Sequence, residues 1–314
     1  MLRTHVIGFS QIGGTVINML TRAVLSAIAM LMAVPANPLP RAQRGDTLHC
    51  RPSGALIRMD ELAEASGITM SRRTPGAFWA VNDSEQPVIY ALDANGVVTG
   101  RVRVTGATVE DWEAIAIGPC RSGTCLYVGD IGDNNGTRKQ ITIYRVPEPA
   151  IGDDMTATAE VFHATYPDGP QDAESLVLTS DGSLYIVTKG EKGSVALYRF
   201  PRELRTGSTM PLQRVAKPRD PGKSPNSERI TDAAASPQGD WIVLRTNRAA
   251  TFHHLKELMA GNWRPAHVVD LADLDEPQGE GVTLTADGTL VVVGEGGGKS
   301  APGTLARLTC APLR

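Results

Sequence analysis

Five short apolar segments each carry a polar residue at or near their first position: Ser66 in ASGITM, Glu113 in WEAIAI, Glu174 in AESLVL, Asp232 in TDAAA and Glu280 in GEGVTL. The apolar run that follows each one ends in a second polar group: Asn82 and Asp83, Asp130 and Asp133, Lys189, Arg245, and Glu295. Strand formation gives no local reason for an acid at the same place each time. Carboxylates gathered at one spot can hold a divalent cation, exchange protons, or accept hydrogen bonds from amides. Left unpartnered they repel, and burial sharpens the repulsion. Either a cation sits among them, or Lys189, Arg245 and backbone amides neutralise them.

The cation reading makes Glu113, Asp130, Asp133 and Glu280 metal ligands. Oxygen donors from separate segments suit Ca²⁺, which tolerates irregular geometry, better than Zn²⁺. The loop DIGDNNGTR concentrates Asp130, Asp133, Asn134 and Asn135 around Gly132 and Gly136. It is not an EF-hand, because Ile141 stands where the bidentate Glu belongs. Its length and its nearness to Glu113 favour a binding loop; a plain turn is the alternative. A bound metal would act as Lewis acid in a hydrolase on phosphoesters or lactones, with Glu174 as general base. The competing reading is structural: each acid accepts amides of its neighbour and holds the repeat in register, in a non-catalytic module that binds a small molecule or a protein. Other patterns carry less. GEGGGKS has Val293 where a phosphate loop needs Gly, and no helix follows it. No G-x-S-x-G elbow occurs. The four tryptophans read as packing.

The segments that carry these residues repeat. Each is an apolar strand, a turn (SRRTPG, CRSGTC, SDG, SPQG, TADG), a second strand and a polar exit. Third strands follow in PVIYALD, QITIYRVP, VALYRFP and TLARLTC, and fourth strands in VVTGRVRVTG, ATAEVFHATY, PLQRVAKP and PAHVVDLA. Helical periodicity is confined to HLKELMAGNW, from His254. Four short strands per unit, at roughly 45–60 residues per unit, predict an all-β fold, a β-propeller of five blades. A sixth blade could occupy 47–62, but LHCRPSGALIRM offers one strand, which is expected to complete the last blade and close the ring by pairing the two chain ends. A large two-sheet sandwich is the alternative architecture.

The ends give an address. Arg22 precedes the apolar run AVLSAIAMLMAV, followed by PANPLP. Residues 1–44 read as a signal peptide and linker, with Met19 a plausible true start, and 45–314 as one propeller domain. Retention of the amino-terminal segment as an anchor is the one route to a membrane. The four cysteines then pair as Cys120–Cys125, across a tight turn, and Cys50–Cys310, where the ends meet. The chain is expected in the periplasm or outside the cell. Its net charge of -3 gives no footprint for nucleic acid.

The phrases NDSEQPVIYALDANG, DWEAIAIGP, LYVGDIGDN, ITIYRVPEP, DAESLVL and QGEGVTL resemble a group of exported bacterial β-propellers, and more distantly the phytase-like and SdiA-regulated propellers. The resemblance covers about residues 62–308. It implies export, the propeller fold and Ca²⁺ at the channel mouth, with Glu113, Asp130, Glu174 and Glu280 as ligands. It also implies that Lys189 and Arg245 bind the anionic part of a substrate. The chain departs from those propellers in having fewer visible blades and no dense acidic tracts.

Overall fold

The computed structural model describes residues 46–121, 123–190, 195–217, 229–298 and 300–311. All fall in one compact unit, Ala42–Arg314. The segment read as a signal peptide, including Met19, lies outside the described residues. Among the described residues, no helix is long and apolar enough to cross a membrane.

The described chain begins with three short strands: β1 (Asp46–Thr47), β2 (Cys50–Pro52) and β3 (Ile57–Met59). Blade 1 is β4 (Ala65–Met70), β5 (Phe78–Asn82), β6 (Val88–Leu92) and β7 (Val98–Arg103). Blade 2 is β8 (Trp112–Cys120), β9 (Gly123–Asp130), β10 (Ile141–Pro147) and β11 (Glu160–Thr165). Blade 3 is β12 (Ala173–Leu178), β13 (Leu184–Thr188) and β14 (Leu197–Arg199); the chain then adds β15 (Thr209–Pro211) to the outer edge of blade 2 and returns as β16 (Gln213–Ala216). Blade 4 is β17 (Ile230–Ala235), β18 (Trp241–Thr246), β19 (Ala249–His254) and β20 (His267–Asp270), with β1 parallel to β20 on its rim. Blade 5 is β21 (Gln278–Leu284), β22 (Thr289–Glu295) and β23 (Gly303–Cys310). Helix α1 (Leu255–Met259) falls where the only helical periodicity was read.

The five inner strands touch in cyclic order, β4 to β8 to β12 to β17 to β21 and back to β4. That closure makes the chain a five-bladed β-propeller. Segment 47–62 builds no sixth blade: β2 pairs antiparallel with β23, and β3 pairs with another stretch of it. The ends are locked as expected, Cys50 opposite Cys310 and bridged to it. Cys120–Cys125 clips the β8–β9 hairpin. Gly182 and Gly288 supply the positive φ, 80° and 84°, of two hairpin turns.

Each blade is apolar on both faces, so the core is divided into five clusters, one per blade interface. Trp79 and Trp112 fill the gap between blades 1 and 2, and Trp241 that between blades 4 and 5. The approach is tightest at the axis: a Cβ on Gly67 would stand 2.9 Å from the Ile115 amide. At the face opposite the acids, Glu148 after β10 clasps the turn of blade 1. Its Oε1 accepts the Ser71 hydroxyl at 2.6 Å, the Trp79 indole N–H at 3.1 Å and the Arg72 amide at 3.1 Å.

Candidate functional site at the channel mouth

Every inner strand slips register once against its partner, near its first residue. The slips fall between Ala65 and Gly67, Trp112 and Ala114, Ala173 and Ser175, Ile230 and Asp232, and Gly279 and Val282. Each is a β-bulge, which inserts one extra residue and re-aims a side chain. The inserted positions are Ser66, Glu113, Glu174 and Thr231, with Glu280 and Gly281 sharing the slip in blade 5. The first strands of all blades start where the second strands end, so the five positions gather at one mouth.

Asp232 is not one of them. Pairing fixes Asp232 opposite Arg245, and Thr231 takes the bulge. Asp232 is buried and accepts the Ala233 amide and, across the interface, the Val282 amide of blade 5, both at 2.7 Å. Thr231 donates its hydroxyl to the Glu280 carbonyl at 3.1 Å. At this acid the inter-blade contact is the one observed.

Glu113, Glu174 and Glu280 do converge. Burial pushes the Glu113 carboxyl well up, and the charges of Glu174, Asp111 and Glu280 push it further, against the pull of Lys189. Burial and then Glu280 raise Glu174, while Lys189 opposes. Burial and Glu295 raise Glu280 to about 7. Glu113 and Glu280 keep part of their surface open to the channel although their carboxyls sit deep among protein atoms. Glu174 is buried at 5 % exposure. The Lys189 ammonium, one residue past β13, bonds Glu174 Oε1 and stands 3.9 Å from Asp172 Oδ2. Glu174 Oε2 and Asp172 Oδ2 are buried and have no hydrogen-bond donor among the described residues. Beneath the acids lies a cavity of about 60 Å³ with a mixed lining, Ile68, Ile115, Leu176 and Val282 beside Arg72 and Ser180.

Other sequence-derived site residues lie elsewhere. Asp130 is 2 % exposed; its carboxylate accepts the Asp111 and Glu110 amides at 2.9 and 3.2 Å and meets Arg138 at 2.7 Å. Asp133 accepts the Thr137 and Arg138 amides, both at 2.9 Å. The loop is thus folded around Arg138, and its two carboxylates hold backbone. Arg245, read as an anion-binding partner, is fully buried between blades 4 and 5. Its guanidinium donates to the carbonyls of Gly281 and Val293 and to Glu276 Oε2, the last at 2.6 Å. It bonds protein there and does not reach a ligand in the channel.

Two members of the mouth were not singled out from sequence, Asp111 and Asp172. Each precedes a bulge glutamate by two residues, so the shared phrase D-x-E in DWE and DAE is the signal that marks them. Glu276, paired with Arg245 inside the interface, has no such mark; it sits in a connecting loop. Among the described residues, no three His, Cys, Asp or Glu side chains are grouped so as to hold one metal ion. The oxygen donors are of the kind Ca²⁺ takes, but they are not gathered as a coordination shell, and the Lys189 ammonium already lies between Glu174 and Asp172.

A family model described as phytase-like, esterase-like activity of phytase, matches residues 60–310. The chain belongs to the phytase-like family. No curated protein matches it. Among solved structures, the phytase-like chain is similar to the PQQ-bound aldose sugar dehydrogenase of Streptomyces coelicolor, at 11% identity and a TM-score of 0.52, over 85% of this chain and 100% of that one. It also matches a gluconolactonase of Xanthomonas campestris at 11% identity and a TM-score of 0.46, over 86% and 98% of the two chains. At such identity, likeness speaks for the fold alone.

Proposed function

We propose that the channel mouth is a hydrolase site for ester bonds, carboxylic esters and lactones ahead of phosphoesters. The observation that carries this reading is the convergence of Glu113, Glu174 and Glu280, from three blades, beside the Lys189 ammonium. Three crowded carboxyls, each raised above the ordinary glutamate range by burial and by acid neighbours against the pull of Lys189, do not all ionise, so the mouth holds carboxylate and carboxylic acid side by side at neutral pH. That pairing is what general acid–base hydrolysis requires. Glu174, held in place by its bond to Lys189, takes the proton of the attacking water. Glu280 gives its proton to the departing alkoxide as the C–O bond breaks. A phosphate dianion entering such a mouth is repelled unless a cation accompanies it, which sets phosphoesters behind. Ca²⁺ would need three acids gathered at one point, which the described residues do not show, and Lys189 to leave Glu174, so no step is assigned to it.

The second reading, a binding propeller without turnover, draws its support from Asp130, Asp133 and Asp232, which all accept backbone amides. Turnover of an ester panel separates the two. Glu174→Gln is expected to lower kcat at least a hundredfold with the melting temperature within a few degrees of the parent. Equal turnover in the variant refutes the assignment. Closed disulfides favour an oxidising compartment, so we place the protein in the periplasm or outside the cell, with a small molecule or an extracytoplasmic protein as its partner.

A further inference from the structure

We infer that the mouth is selective for an organic cation: the ester it takes carries an ammonium group, seated against Glu113, Glu174 and Glu280. The substrate class rests on the hydrolase reading; the cation seat does not. Three observations carry it. First, Asp111, Glu113, Asp172, Glu174, Glu280 and Glu295 act on one another electrostatically, and the ammonium that acts on them among the described residues is Lys189. Two guanidinium groups also pull on these acids, and both are engaged by protein: Arg245, which pulls on Glu280, is bonded to Glu276, and Arg138, which pulls on Asp111, is tied to Asp130 and Glu110. Second, Glu174 Oε2 and Asp172 Oδ2 are buried without a donor among the described residues, although Lys189 sits beside both side chains. A buried carboxylate oxygen without a donor is costly, so a further donor that reaches it would be favoured. Third, Lys189 shows what fits: an ammonium on a flexible stem lies beside two of these carboxylates, Glu174 and Asp172. An ammonium donates three hydrogen bonds from one centre and demands no fixed coordination geometry.

Calorimetric titration of the purified full chain tests the seat with matched probes: butylammonium, 1-butanol, butyrate and Ca²⁺. Butylammonium is expected to bind at least tenfold more tightly than 1-butanol or butyrate. Its affinity is expected to fall when NaCl is raised from 50 to 500 mM, a readout that needs no variant. The pair Glu113→Gln with Glu280→Gln is expected to weaken it a further tenfold or more. Equal affinity for 1-butanol, indifference to salt, or binding of Ca²⁺ that butylammonium does not displace overturns the seat. Turnover of the β-alanine ethyl ester against ethyl propanoate tests the substrate class; a preference for the first of at least tenfold in kcat/KM is expected. Ammonium binding without hydrolysis of either ester supports the seat and overturns the hydrolase. Hydrolysis of ethyl propanoate that butylammonium leaves uninhibited overturns the seat and keeps the hydrolase.

Discussion

Replacing Glu280 with Gln removes one charge from the mouth and keeps the side-chain shape. In the folded chain the Glu280 carboxyl titrates at about 7, against an ordinary value of 4.5. Between those two pH values the folded state holds a proton that the unfolded state has released. Stability therefore falls as pH rises through that window, and the loss is complete above it. A shift of this size corresponds to roughly 3 kcal/mol. Glu280 keeps part of its surface open to water and shares its field with Glu113 and Glu174, which brings the expected loss to about 2 kcal/mol. Gln does not titrate, so Glu280→Gln is expected to match the parent near pH 4.5 and to exceed it above pH 8. For a domain of this size the gain corresponds to about 4–8 °C in melting temperature. Thermal unfolding at pH 4.5 and pH 8.5 measures it. A variant no more stable than the parent at pH 8.5, or less stable by the same amount at both, would refute the claim that Glu280 is destabilised by its neighbours.

Three further perturbations test the frame around the mouth. Cys50→Ser with Cys310→Ser opens a link between residues 260 apart and is expected to cost about 5 kcal/mol in a denaturant titration, against about 2 for the five-residue Cys120–Cys125 link. Glu148→Ala strands the Trp79 indole N–H and the Ser71 hydroxyl, with an expected loss of about 3 kcal/mol by chemical unfolding. Arg245→Met leaves Glu276 charged and alone inside the interface and is expected to cost about 3–5 kcal/mol; adding Glu276→Leu is expected to recover most of it, as a double-mutant cycle would show.

The blades were legible because each one repeats the same problem of burying two faces, and the turns at Gly182 and Gly288 mark its hairpins. Ring closure was legible from the two terminal cysteines. The bulges were not. A strand read with strict alternation places Asp232 beside Glu113 and Glu174, and only cross-strand pairing shows that Thr231 holds the equivalent position. The same gap explains Arg245 and Lys189. Both are cations at the end of a second strand, but Arg245 lies inside β18, opposite Asp232, and turns into the blade interface. Lys189 lies past the end of β13 and reaches the mouth. Asp130 and Asp133 look like ligands by composition, and what engages them instead is backbone from their own loop, which composition cannot reveal. The minor strands show the limit from the other side: β1 joins blade 4 and β15 joins blade 2 through parallel edge pairing, for which two or three residues carry no periodic signal.

Blade 5 also sets a schedule. Strands β21, β22 and β23 can fold on one another, but their outer edge finds no partner until β2, some 260 residues earlier in the chain, is brought to it. Contacts of that span are slow to form, and an open strand edge meanwhile recruits other chains. Ring closure is therefore expected late in folding, after an open horseshoe whose ends are adhesive. Aggregation during refolding should follow the lifetime of that horseshoe more closely than the stability of the finished ring. Oxidation to Cys50–Cys310 is the step that ends it.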